Sequence, residues 1–149
     1  MRVVFDTNVL IDALTDDFSA QARLIEAVRE GRMEAVYTSA VAREYRRILH
    51  RLITDPLDRE RVDVFMKAAR VVRPERVDIQ IDDPEDYKIA QAAVGGEADV
   101  IVTNDRHLLD VGRIGDVRVM TPQECWVAYQ EEAGDDEWNE WRRGLGIGL

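Results

Sequence analysis

The chain has 149 residues, of which 46% are hydrophobic and 34% charged. That suits one domain able to bury its own core and leaves too little for two. The net charge of −10 argues against a module that only coats nucleic acid, because such modules are basic. It leaves room for an enzyme whose bound cations neutralise its site. The single cysteine, Cys125, excludes an intrachain disulfide and fits a reducing compartment; in Glu124–Ala128 it reads as a buried apolar residue. Lys67 and Lys88 are the only lysines among the 20 basic residues. Asp6 and Asp12 interrupt the apolar N-terminus, so neither a signal peptide nor a membrane span is expected, and the cytoplasm is the expected location.

The first predicted strand runs from Arg2 to Asp6 and ends on a carboxylate. A helix follows from Ser19, with Ala22, Leu24, Ile25, Ala27 and Val28 at helical spacing and Gly31 as its stop. Glu34–Tyr37 reads as a short strand. Thr38 or Ser39 then caps a helix through Val41, Tyr45, Ile48, Leu49 and Leu52. Asp55-Pro56 breaks the chain, Asp58–Arg70 reads as a helix, and Val71-Val72 as a short strand closed by Arg73-Pro74. Pro84 opens another helix, with acids in its first turn, and Gly95-Gly96 ends it. Asp99–Thr103 is a buried strand, followed by Asn104-Asp105. Asp116–Met120 is a final strand, and Thr121-Pro122-Gln123-Glu124 starts a last helix. Alternating strands and helices imply an α/β fold, with a mostly parallel sheet covered on both faces. Residues 1–132 form the expected domain. Residues 133–149 read as a separate tail, frayed or carrying a contact surface: Glu131–Glu140 holds six acids and no base, with Trp138 and Trp141 nearby.

Two strands that deliver Asp6 and Asp105 to one sheet edge suggest a cation site, because ligands of open α/β sheets bind beyond the carboxyl ends of the strands. Glu44 and Asp86 lie on helices that start next to the same edge, so all four side chains can converge. Converging carboxylates repel unless a cation neutralises them, and hard oxygen donors select Mg²⁺ or Mn²⁺ over Zn²⁺. Taken singly, each acid has an ordinary alternative. Asp6 or Asp105 can be a turn residue, Glu44 a solvated partner of its neighbouring arginines, and Asp86 a helix-dipole residue. His50 and His107 read as surface residues.

The joint pattern resembles the PIN-domain ribonucleases and, within them, the VapC-like toxins of type II toxin–antitoxin systems. The resemblance rests on Phe5-Asp6-Thr7-Asn8-Val9-Leu10; on Ser39 with Glu44-Tyr45 and Ile48-Leu49; on Asp83-Pro84-Glu85-Asp86 with Ile89-Ala90 and Ala93; and on Ile101-Val102-Thr103-Asn104-Asp105 with Leu108-Leu109. These stand in the family's order and span roughly residues 1–125. The resemblance implies a three-layer α/β/α sandwich. It also implies an acidic Mg²⁺- or Mn²⁺-dependent site that hydrolyses RNA to 5′-phosphate and 3′-hydroxyl ends. By motif position Asp6, Glu44, Asp86 and Asp105 take the catalytic and metal-ligand roles, and Thr7, Asn8 and Thr103 support them. Asp86, rather than Asp82 or Asp83, has the family's spacing to Ile89-Ala90. An antitoxin is the implied partner, and homodimers occur in the family. Arg43, Arg46, Arg47 and Arg106 are candidates for RNA phosphates, each also readable as a solvated surface arginine.

Three other functions fit parts of this pattern. An RNA-processing or quality-control nuclease without an antitoxin would carry the same four acids. A non-catalytic interaction protein on the same scaffold would be expected to lack one of them. A phosphatase-like or response-regulator-like domain also places an Asp after its first strand, but it wants a lysine at a neighbouring strand end.

Overall fold

A computed structural model describes the backbone of residues 1–144 and the side chains of residues 1–134, 143 and 144. The elements in order are β1 (Arg2–Phe5), α1 (Thr7–Thr15), α2 (Ala20–Arg29), β2 (Glu34–Tyr37), α3 (Ser39–Leu52), α4 (Pro56–Ala68), β3 (Arg70–Val71), α5 (Pro84–Gly95), β4 (Val100–Val102), α6 (Arg106–Val111), β5 (Arg113–Ile114), β6 (Val117–Met120) and α7 (Pro122–Gly144).

The six strands form one sheet in the order β3-β2-β1-β4-β6-β5. All pairings are parallel except β5 with β6 at one edge. This is the expected α/β/α sandwich with a mostly parallel sheet. Its centre is apolar on both faces, because Val3, Val4, Phe5, Val100, Ile101 and Val102 are all buried and covering helices exclude water from either side.

Chain order reverses at the middle of the sheet. The path runs outward from β1 to β2 and β3, then returns through α5 to place β4 on the other side of β1. The carboxyl ends of β1 and β4 therefore flank a topological switch point, where crevices open in such sheets. The register Val3↔Val100, Val4↔Ile101, Phe5↔Val102 brings Asp6 level with Thr103.

Helix starts are fixed by side-chain caps, of which the sequence named Thr38. Ser19 accepts from Ala22 N, Thr38 from Val41 N, and Asp55 from Leu57 N and Asp58 N. α4 thus begins at Pro56, two residues before the expected Asp58. Gly95 ends α5 under the chain at 73–75: a Cβ there would lie 1.9 Å from the Arg73 carbonyl oxygen. α7 continues to Gly144, so its backbone crosses residue 132 as uninterrupted helix where composition suggested a fraying tail. The side chains of Trp138 and Trp141, and the segment 145–149, lie outside the described residues. Among the described residues no helix is long and apolar enough to cross a membrane.

Candidate active site

Asp6 follows β1 without a linker. Its N–H donates to the Val102 carbonyl at 2.9 Å, which carries the β1–β4 pairing one residue past the strand. Its Oδ2 accepts from Thr103 Oγ1 at 2.7 Å. The same Oγ1 accepts from the Asp105 N–H at 2.9 Å. Thr103 is fully buried, and its N–H is held by the Met120 carbonyl at 2.9 Å. One hydroxyl thus uses its proton on Asp6 and a lone pair on Asp105, fixing the two segments against each other. Asp105 in turn caps α6, its Oδ1 accepting from His107 N at 2.8 Å.

Glu44 comes from the second turn of α3. The next residue, Tyr45, is buried and donates its hydroxyl to the carbonyl of Phe5, immediately before Asp6. Its ring meets Tyr37 edge-on at 6.0 Å. These contacts pin α3 to the end of β1 and set where Glu44 stands. The Glu44 side chain is 16% exposed. Arg47 Nη2 lies 3.2 Å from each of its carboxylate oxygens.

Asp86 lies in the first turn of α5. Asp83 caps that helix, accepting from Glu85 N at 2.8 Å and Asp86 N at 3.4 Å. Asp82 is exposed and holds Gln80 Nε2 at 3.3 Å. The three neighbouring acids are therefore distinct: Asp82 faces solvent, Asp83 caps, and Asp86 is buried. Burial, then the charges of Asp105, Asp83 and Asp6, push the Asp86 carboxyl up to about 6, with His107 opposing. Burial also raises Asp6, against the bonds from Thr103 and the Asn8 amide that lower it; Asp105 raises it further.

Asp6, Glu44, Asp86 and Asp105 line one cleft of about 210 Å³. Buried Thr7 and exposed Asn8 line it too, while Thr103 stands behind Asp6. Arg43, Arg46, Arg47 and Arg106 are all exposed and none lines the cleft, although Arg47 reaches its rim through Glu44. Among the described residues the cleft's one Lys or Arg is Lys88, whose Nζ lies 3.0 Å from Glu85 Oε1. Sequence reading passed over it by looking for basic residues beside the acids on strand ends and on α3. Its signal was available: it is one of two lysines and follows Asp86 by two positions.

Among the described residues, no group of three or more His, Cys, Asp or Glu side chains is arranged to hold a metal ion. The four acids stand around the cleft without closing on one point. Their chemistry nonetheless suits a hard divalent cation, since every donor is a carboxylate oxygen and burial, with mutual charge adding to it, holds Asp86 and Asp6 up. A cation would relieve that repulsion.

A larger apolar hollow, about 360 Å³, lies between α1, α2 and α4, lined by Leu10, Leu14, Ile25, Leu49, Val62 and Phe65 among others. Asp17 and Arg61, paired at 3.0 Å, stand at it. Phe18, next to Asp17, is 88% exposed.

A sequence model of the family described as PIN domain matches residues 2–107, the stretch that contains all four acids. Among solved structures the chain is similar to the crystal structure of VapBC2 from Rickettsia felis bound to a DNA fragment from their promoter. The TM-score is 0.58 at 16% identity, over 81% of this chain and 98% of that one. At that identity the likeness is one of fold. No curated protein matches the chain.

Proposed function

The chain belongs to the PIN domain family, and from that premise we propose that it is a metal-dependent endoribonuclease, the toxin of a type II toxin–antitoxin pair. The observation that carries the reading is the meeting of Asp6, Glu44, Asp86 and Asp105, from four separate segments, in one cleft at the switch point of the sheet.

These four acids are the residues that would hold Mg²⁺ or Mn²⁺. Such an ion supplies a Lewis acid for the phosphodiester and a means of activating water near neutral pH. The chain's own residues do the positioning. Thr103 orients Asp6 and braces Asp105. Tyr45 holds α3, and with it Glu44, to the end of β1. Asp83 ties down the first turn of α5 that presents Asp86. The arginines of α3 offer positive charge beside the cleft for RNA running out of it. Asp86 and Asp6 resist ionisation when no cation is present, so metal binding and deprotonation are coupled.

The solved relative is a VapBC complex, which supports an antitoxin partner here. The apolar hollow between α1, α2 and α4, with exposed Phe18 beside it, has the character such a partner would cover. The same catalytic cleft would serve an RNA-processing nuclease that has no antitoxin.

The test is cleavage of a mixed RNA by the wild type and Asp6→Asn, with Mg²⁺, Mn²⁺ or EDTA. Cleavage that needs metal and disappears in Asp6→Asn is the expected result. Cleavage that survives both EDTA and the substitution overturns the reading. Co-expression with the product of an adjacent small gene separates the toxin from the free nuclease: loss of activity in a stable complex identifies the toxin.

A further inference from the structure

We propose that Lys88 is the cation that binds the RNA phosphate inside the cleft. This deepens the nuclease reading above and rests on it.

Among the described residues six carboxylates line the cleft, from Asp6, Glu44, Asp83, Glu85, Asp86 and Asp105, and Lys88 is the sole lining Lys or Arg. A phosphodiester entering this space meets carboxylates on every side. The arginines of α3 are outside, and Arg47 is already engaged with both Glu44 oxygens. Positive charge from the protein within the cleft therefore comes from α5, on the wall that also carries Asp86.

Lys88 is built to be released. Its partner Glu85 is three residues earlier on the same helix, and the two side chains are 42% and 48% exposed. Such an exposed pair is weak and screened by salt, so Nζ can exchange Glu85 for a phosphate oxygen at little cost. The ammonium is a compact charge on a flexible stem, suited to following a phosphate that must also approach the acids. Lys67, the other lysine, lies exposed on α4 outside the cleft and is a matched control.

The ordinary alternative is that Lys88 only pairs with Glu85 on the helix surface. The two are separated by RNA binding in the cleavage-deficient Asp6→Asn background, using a short single-stranded RNA titrated at several salt concentrations. Losing one phosphate contact flattens the plot of log affinity against log salt by about 0.7 for a single strand. Lys88→Gln is expected to do this and to weaken binding about tenfold, Lys88→Arg to restore most of the affinity, and Lys67→Gln to change neither. Glu85→Gln is expected to tighten binding when Lys88 is present and much less in Glu85→Gln/Lys88→Gln, because the gain comes from freeing Nζ. If Lys88→Gln binds and cleaves as its parent does, while Asp6→Asn alone abolishes cleavage, Lys88 has no phosphate role and the nuclease reading survives. If the wild type neither binds nor cleaves RNA with any divalent ion, the nuclease reading fails, and the role of Lys88 with it.

Discussion

Thr103 Oγ1 donates to Asp6 Oδ2 at 2.7 Å, across 97 residues of sequence, from a side chain with no exposure to solvent. The bond holds the Asp6 carboxyl down against burial, which drives it up. Thr103→Val keeps the shape and removes both the donor to Asp6 and the acceptor for the Asp105 N–H. The Asp6 carboxyl should then ionise at higher pH, so the acidic limb of the kcat/KM profile should move upward, with activity on that limb falling about tenfold for each pH unit the limb moves. Thr103→Ser should keep the profile. An unshifted limb in Thr103→Val would separate Asp6 ionisation from activity.

Asp86 gives a stability prediction with a definite sign. Its carboxyl titrates at about 6 in the folded chain against an ordinary 3.8. Between those values the native state binds more protons than the unfolded one, so stability falls as pH rises through the window. Above it the ionised carboxylate costs at most about 3 kcal/mol. Asp86→Asn should therefore have the higher Tm at pH 7.5 without metal, and the advantage should vanish near pH 4. Equal Tm values at both pH values would contradict the burial and charge repulsion described for this site.

Divalent ions should act on the same imbalance. A ligand at 100 times its Kd stabilises by about 2.7 kcal/mol. Millimolar Mg²⁺ or Mn²⁺ should raise the wild-type Tm at pH 7.5, EDTA should reverse it, and Asp6→Asn should respond less. A Tm indifferent to both ions would remove the metal from the proposed function.

Tyr45→Phe should destabilise the chain by about 1–3 kcal/mol, the cost of depriving a buried acceptor of its donor. The edge-on contact with Tyr37 would remain. Activity should fall by more than the folded fraction accounts for, because the lost bond is the one that ties α3 to the residue before Asp6. Urea unfolding and kcat measured on the same samples separate the two effects.

Gly95→Ala tests close approach rather than chemistry. The added methyl would sit 1.9 Å from the Arg73 carbonyl oxygen and 2.9 Å from Glu75 N, both backbone atoms. Backbone must move, and a cost at or above the top of the 1–3 kcal/mol range for overpacking, about 3 kcal/mol, is expected in urea unfolding.

The central sheet was legible because its strands are apolar runs with polar stops, and α2, α3 and α5 because each begins on a capping residue. α1 was not read as a helix. It starts at Thr7 directly after the strand, and Asp6 stands at its N-cap without a side-chain bond to it, so the usual boundary signal is missing. The α6–β5 stretch was missed for its shortness. α6 has six residues and β5 two, and Gly112 and Gly115, at φ of 75° and 58°, make the turns around that edge strand. The four acids could be placed from strand ends and helix starts because the parallel topology leads all of those to one edge. Lys88 had only its nearness to Asp86 as a signal, since its presence in the cleft depends on how α5 rotates against α3, which periodicity does not specify.

The pairing of β1 with β4 also governs when the cleft can assemble. Asp6 is made almost a hundred residues before its partner Thr103 and neighbour Asp105, and Thr103 is itself held by Met120. A nascent chain that has not yet released β6 lacks the braced arrangement, however well its first helices have formed. Whatever chemistry the cleft performs therefore waits on β6, and a stretch of chain that stops short of Met120 has the acids without the brace.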